Sequence, residues 1–163
     1  MALSEWPFGR AEIEDLLRRR HLECIPASTE NANLLLAKAR QHLVSAAGLA
    51  QTDPELAADA LHLANRKAFE AVLLDQGLRP TRDGGHIAPY EAVRAQLRVD
   101  ARRPRPELTV YDVVRRLRQG ADYASYELDI TTADITENLP DCERLVGICE
   151  KIVGNMPVFR PSQ

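Results

Sequence analysis

The chain has 163 residues, of which 45% are hydrophobic and 28% charged, so it is long enough for one globular domain with its own core. Its formal net charge of −3 argues against a global basic field that would attract nucleic acid. The three cysteines lack metal-site spacing, no apolar run reaches the roughly 18 residues of a membrane span, and the first residues show no secretory signal. We therefore expect a cytoplasmic protein with free thiols, no metal, no cofactor and no membrane contact.

Amphipathic helices are predicted through the first half of the chain. Residues 10–23 carry apolar side chains at helical spacing among charges, and Pro26 separates this segment from the next. A second helix is expected over about 30–51. A third, over 54–76, is opened by an aspartate cap and a proline at its first position. Residues 78–88 are predicted to form a loop.

The second half is predicted to be helical as well. A short helix is expected over 89–97, while the prolines within 99–107 exclude a helix interior there. Another helix is expected over 108–119, followed by a turn or loop over 120–131. Residues 132–154 keep one apolar face across an internal proline, which predicts one kinked helix or two nearly collinear helices.

These elements predict an all-α fold, an antiparallel bundle of four to six helices joined by mostly short connections. No segment predicts a convincing strand, and no internal repeat or low-complexity tract is present. We divide the chain into an N-terminal helical extension (1–28), the helical bundle (29–155) and a tail (156–163).

A series of short sequence segments carries a resemblance to a known family. They are residues 39–46, 53–57, 64–73, 76–81, 84–87 and, in an arginine-rich stretch, 115–123. In this order and spacing they resemble the bacterial HEPN domain family, over about residues 10–154. The resemblance implies a HEPN-like bundle that dimerises through its helices. It also implies a metal-independent ribonuclease, often a toxin paired with a nucleotidyltransferase antitoxin, or a component of phage defence.

The family's catalytic signature is an arginine followed, after four to six residues, by a histidine. At the matching position this sequence has Arg118 and Tyr123, so the arginine is present and the histidine is replaced. An asparagine expected next to the arginine is replaced by Gln119. Cleavage of RNA by its 2′-OH needs proton exchange near neutral pH, whereas tyrosine ordinarily has a pKa of about 10. The resemblance implies that Arg118 holds a phosphate and that Tyr123 positions the substrate.

A second arginine–histidine pattern lies earlier in the chain. Arg79 and His86 are separated by six residues, although they fall between the second and third main helices. His86 follows two glycines, which allow unusual backbone angles, so it is a catalytic candidate or a residue that caps the following helix. His42 and His62 lie within predicted helices and are expected to be partly buried and hydrogen-bonded.

Charge is uneven along the chain. Residues 98–118 hold seven arginines and three acids, a net charge of +4, whereas residues 122–163 have a net charge of −5. The basic stretch suits a phosphate backbone or an acidic partner, and the alternative is ion pairing within the molecule. The candidate substrate-binding residues are Arg79, Arg115, Arg116 and Gln119.

The sequence therefore predicts a HEPN-family homodimer that acts on RNA or nucleotides, as the ribonuclease-like toxin of a toxin–antitoxin or phage-defence pair. The alternative is a catalytically inactive helical module that binds a partner protein. The replacement of the family histidine by Tyr123 favours this alternative.

Overall fold

The computed structural model describes residues 6, 8–97, 105–122 and 129–162. Its elements in chain order are α1 (Arg10–Arg18), β1 (Leu22–Cys24), α2 (Thr29–Leu49), α3 (Pro54–Asp75), β2 (Leu78–Pro80), α4 (Ile87–Gln96), α5 (Pro106–Asp122) and α6 (Thr132–Ile152). The largely helical content agrees with the predicted all-α class. Across these described ranges, no helix is both long and apolar enough to span a lipid bilayer.

Polar caps fix where the three longest helices begin. The Ser28 side chain accepts a hydrogen bond from the backbone at the start of α2, and Asp53 does the same for α3, whose first residue is Pro54. At the start of α6, Thr131 and Asp134 form a reciprocal capping box. These side chains satisfy N–H groups that have no partner within the helix, so the helices begin close to their predicted positions.

The main core lies where α2, α3, α5 and α6 pack together. Four residues join α2 to α3, so the two helices run antiparallel, and alanines along both allow their backbones to approach closely. Pro140 lies inside α6, which is one continuous helix from Thr132 to Ile152. The buried alanines that α2 and α3 contribute to this core include Ala39, Ala46, Ala57, Ala64 and Ala68.

Two short antiparallel strands depart from the sequence prediction. Leu22 lies opposite Pro80, and Cys24 lies opposite Leu78. The predicted helix over 10–23 is therefore wrong in its last part, because the chain leaves the helix after Arg18. The predicted loop over 78–88 is wrong in its first three residues, which form β2, and in its last two, which begin α4. Strands of three residues are too short to show alternation, and this pairing depends on contacts between distant parts of the chain.

A second core joins the two ends of the chain. The Phe159 side chain is buried, and its ring meets the Trp6 ring edge to face, with the two ring centroids 4.9 Å apart. The backbone N–H of Phe159 donates to Gln76 O at 2.8 Å. Further along the tail, the Ser162 hydroxyl donates to Glu14 of α1. The other apolar members of this core are Ile13, Leu16, Leu22, Leu73, Leu78, Ala88 and Ala92.

A buried carboxylate ties three helix ends together. Asp75, the last residue of α3, is 5% exposed. Its Oδ1 accepts from the Thr29 hydroxyl at 2.6 Å, and its Oδ2 accepts from the Gly154 N–H at 2.8 Å. The start of α2 and the end of α6 are thereby held at the end of α3.

Candidate functional site

Three aromatic rings stack where α3, α4 and α5 meet. Tyr111 of α5 is fully buried, with its ring stacked on Phe69 of α3 at 4.9 Å and on Tyr90 of α4 at 5.3 Å. Burial raises the pKa of the Tyr111 hydroxyl, which therefore stays protonated and donates to the backbone carbonyl of His86 at 2.6 Å. Tyr111 thus anchors the residue that precedes α4.

The loop before α4 is held by a close backbone approach. A Cβ on Gly84 would lie 2.1 Å from the carbonyl oxygen of His21, so glycine is the residue that fits there. The Thr81 hydroxyl donates to the Arg20 carbonyl at 2.6 Å and accepts from the Gly84 N–H. These contacts place His86 directly before α4, where its side chain makes no capping hydrogen bond.

A pair of histidines meets beneath this loop. His62 Nε2 lies 3.4 Å from His86 Nδ1, and the two ring centroids are 5.2 Å apart. His62 is buried on the inner side of α3, with 1% of its surface exposed, whereas His86 is exposed to solvent. Among the residues that the structure describes, none is hydrogen-bonded to His62 Nδ1. The pair therefore connects a buried ring to one that solvent or a ligand can reach.

Both histidines are biased toward the neutral form. Burial, then the charges of His86, Arg118 and Arg66, lower the pKa of His62 to about 4, against a smaller opposing effect of one carboxylate. Burial is also the largest cause of the lowered pKa of His86, followed by Arg66 and Arg118, with Glu70 opposing them. Three of the four charges that act on His86 are arginines, Arg66, Arg118 and Arg115, and the fourth is Glu70.

Five residues form what we call the histidine–arginine cluster. The cluster comprises His62, His86, Arg66, Arg115 and Arg118. Arg66 lies on α3 one turn after His62, while Arg115 and Arg118 lie one turn apart on α5. The packing of α3 against α5 brings the two sets together, although they are about fifty residues apart in the chain.

Each arginine of the cluster also pairs with one carboxylate. The pairs are Arg118 Nε with Asp59 Oδ1 at 2.5 Å, Arg66 Nε with Glu70 Oε1 at 2.6 Å, and Arg115 Nη2 with Asp112 Oδ1 at 2.6 Å. A guanidinium has five N–H donors, so it can hold a carboxylate and a second anion at the same time. An incoming anion therefore competes only in part with the existing pairs.

The structure brings several of the sequence-predicted residues together. Arg115, Arg118 and His86 lie in the cluster, and Gln119 is attached to it because its side-chain oxygen accepts from Arg115 Nη1 at 3.0 Å. Arg116 points outward, with 74% of its side chain exposed, and pairs with a carboxylate on its own helix.

Of two other predicted positions, Arg79 is paired elsewhere and Tyr123 is not described. Arg79 donates from Nε to Glu23 Oε1 at 2.6 Å, a cross-strand ion pair between β2 and β1. The role of Arg79 in substrate binding stays a prediction. Tyr123 lies outside the described residues, as do the arginines at positions 98, 102 and 103.

Sequence reasoning missed the contribution of α3. Asp59, His62, Arg66 and Glu70 are spaced by three or four residues, so they share one face of an otherwise alanine- and leucine-rich helix. That polar stripe was the available signal. The signal is weak, because a histidine inside an apolar helix is usually a core residue.

Comparisons with family models, with curated proteins and with solved structures find no match to this chain. The resemblance to HEPN domains therefore stays a prediction. Within the described ranges, no group of three or more His, Cys, Asp or Glu side chains is arranged to hold a metal ion. What the cluster does offer is three guanidinium groups and an exposed imidazole, a combination suited to binding an oxyanion.

Proposed function

We propose that the protein binds RNA or a nucleotide through a phosphate group at the histidine–arginine cluster, and that it cleaves RNA as a HEPN-like ribonuclease of a toxin–antitoxin or phage-defence pair. The observation that carries this proposal is the exposed His86, which contacts His62 and on which the charges of Arg66 and Arg118 act. Arginine binds phosphate through two parallel N–H···O hydrogen bonds.

The chemistry of the proposed reaction assigns a role to each part. The 2′-oxygen attacks phosphorus, the bond to the 5′-oxygen breaks, and the products are a 2′,3′-cyclic phosphate and a 5′-hydroxyl end. Arg118 and Arg66 hold the non-bridging oxygens and stabilise the extra negative charge of the transition state. Arg115 and His86 assist by hydrogen bonding. Solvent takes the proton of the 2′-OH and supplies a proton to the departing 5′-oxygen. Tyr123 positions the substrate, as the resemblance implies.

The first test is RNA cleavage by the purified protein in the presence of a chelator. We expect Arg118→Ala to lose about 100-fold in rate, equivalent to about 3 kcal/mol of transition-state stabilisation. The matched control is Arg144→Ala, which removes an exposed arginine paired with Asp141 on α6. An Arg118→Ala protein as active as wild type contradicts the assignment.

A second function is favoured by a specific observation. Large apolar side chains are exposed beside the cluster: Leu63 follows His62 and is 40% exposed, and Ile87 follows His86 and is 36% exposed. Together with Tyr123 in place of the family histidine, they suit a catalytically inactive helical module that binds a partner protein. Absence of cleavage across several RNAs, with stable capture of a nucleotidyltransferase-type partner, selects this function over the first.

A further inference from the structure

The histidine pair allows two arrangements of its protons when both rings are neutral. In one, His62 Nε2–H donates to His86 Nδ1, so the proton of His86 is on Nε2. In the other, His86 Nδ1–H donates to His62 Nε2, so the proton of His62 must be on its Nδ1. The two arrangements give His86 opposite characters at its remaining nitrogen, Nε2: a hydrogen-bond donor in the first and a base in the second.

Burial of His62 distinguishes the two arrangements. His62 is 1% exposed, and within the described residues no group is hydrogen-bonded to its Nδ1. The second arrangement would bury an N–H donor without an acceptor, which folded proteins avoid more strictly than a buried acceptor without a donor. The first arrangement leaves only a lone pair unsatisfied inside the protein, because His86 is exposed and its Nε2–H can reach water or a ligand.

We propose that His62 is a positioning residue that holds His86 in the tautomer with its proton on Nε2, so that neutral His86 donates a hydrogen bond to an oxyanion such as phosphate. The identity of the anion rests on the proposed function. The tautomer rests only on the contact between His62 and His86 and on the burial of His62.

The tautomer limits what His86 can do in a reaction. With Nδ1 accepting from His62 and Nε2 carrying the proton, neutral His86 has no available lone pair and does not act as the base for a 2′-OH. A second proton on His86 would have to go to Nδ1, facing the N–H of His62. This conflict acts in the same direction as the burial and arginine charges that lower the pKa of His86, against the opposing charge of Glu70. His86 therefore stays a neutral donor at pH 7.

Nitrogen NMR of the ¹⁵N-histidine-labelled protein tests this proposal, because long-range ¹H–¹⁵N correlations show which ring nitrogen carries the proton. At pH 8 we expect His86 with a protonated Nε2 and a bare Nδ1. His62→Gln should keep this pattern, since the glutamine amide can donate from the place of Nε2. His62→Phe should release His86 into a mixture of both tautomers. His86→Gln assigns the signals.

Two results would overturn the proposal: a protonated Nδ1 on His86 in the wild type, or a His62→Phe spectrum with the same His86 tautomer as wild type. Titration with inorganic phosphate provides a second readout, in which we expect the Nε2–H signal of His86 to shift and His62→Phe to bind more weakly than His62→Gln. A protein that shows the expected tautomer but cleaves no RNA refutes the proposed ribonuclease and leaves the tautomer assignment standing.

Discussion

At the scale of single residues, the charge balance of the cluster decides how tightly an anion binds. Asp59 holds Arg118 through its Nε, and both side chains are between one third and one half exposed. Ion pairs of this exposure contribute about 0–1 kcal/mol. An anion can therefore displace the carboxylate of Asp59 or share the guanidinium of Arg118 with it. The acidic partners therefore weaken binding without preventing it.

Removing the charge of Asp59 should strengthen anion binding. We expect Asp59→Asn to bind inorganic phosphate about threefold more tightly at low salt, because Arg118 no longer neutralises a carboxylate. Isothermal titration calorimetry measures this change, and the gain should shrink at high ionic strength. The control is Asp141→Asn, which removes the partner of Arg144 on α6. Weaker phosphate binding by Asp59→Asn would mean that Asp59 orients Arg118 rather than competing for it.

The buried His62 should make stability depend on pH. Its pKa is about 4 in the folded protein and about 6.5 in an unfolded chain, so between these values the unfolded state binds more protons. The contribution of His62 is therefore fully present above pH 6.5 and is lost as the pH falls toward 4, by about 3 kcal/mol over the whole interval.

Urea denaturation of wild type and His62→Gln across this interval measures the effect. The difference between the two curves matters, because the carboxylates titrate in both proteins. We expect the wild type to lose stability more steeply than His62→Gln between pH 6.5 and 4. Parallel curves would show that the pKa of His62 in the folded protein is close to its value of about 6.5 in an unfolded chain.

Part of the site could be predicted from single residues, and part could not. The sequence identifies Arg115, Arg118 and His86 as candidate site residues, because short motifs and the local excess of arginine point to them. The participation of His62 depends on which turn of α3 passes beneath the loop before α4. That placement follows from the contact of Gly84 with His21, which is a tertiary contact with no local signature.

At the scale of elements, helix ends are held by side chains and not only by helix propensity. The carboxylate of Asp75 serves the first turn of α2 and the backbone just after α6. Losing it would leave the Thr29 hydroxyl and the Gly154 N–H without their acceptor in a partly buried place. Such unsatisfied groups cost more than the hydrogen bonds themselves contribute.

We expect Asp75→Ala to lower the free energy of unfolding by about 3 kcal/mol, and Asp75→Asn by about half of that, because asparagine keeps one acceptor oxygen. Urea denaturation at pH 7.5 gives both values. Thr29→Val removes only the Oδ1 contact and should cost less than Asp75→Ala. Equal stability of Asp75→Ala and wild type would show that water replaces the carboxylate without loss.

The helices were more predictable than the strands for a physical reason. Side-chain caps such as Ser28, Asp53 and Thr131 act within a few residues, so the sequence alone shows where α2, α3 and α6 begin. Strands β1 and β2 have three residues each and pair across more than fifty positions. Their formation depends on α1 docking against α4, which no local pattern encodes.

At the scale of the whole molecule, the exposed apolar residues near the cluster bear on the expected homodimer. Leu56 and Leu63 lie two turns apart on one face of α3 and are 49% and 40% exposed. A second copy of the chain that covered this face would also bring two clusters close together. The dimer is a prediction from the resemblance to HEPN domains, and these side chains suit it.

Light scattering after size-exclusion chromatography measures the oligomeric state directly. We expect a dimer for the wild type and a monomer for Leu63→Glu, because a buried unpaired charge at the interface costs several kcal/mol. Val158→Glu is the control, since Val158 is 49% exposed on the C-terminal tail. A wild type that runs as a monomer at micromolar concentration contradicts the expected dimer.

The second core, in which Phe159 packs against Trp6 and bonds to Gln76, sets an order for folding during synthesis. Residues 10–96 supply α1, both strands and α4 first, but the ring that closes their shared core belongs to Phe159, which is synthesised more than sixty residues later. Until Phe159 has left the ribosome, its ring cannot pack against Trp6 and its backbone N–H cannot bond to Gln76 O. The N-terminal half of the protein therefore reaches its final packing only after the C-terminal tail has emerged.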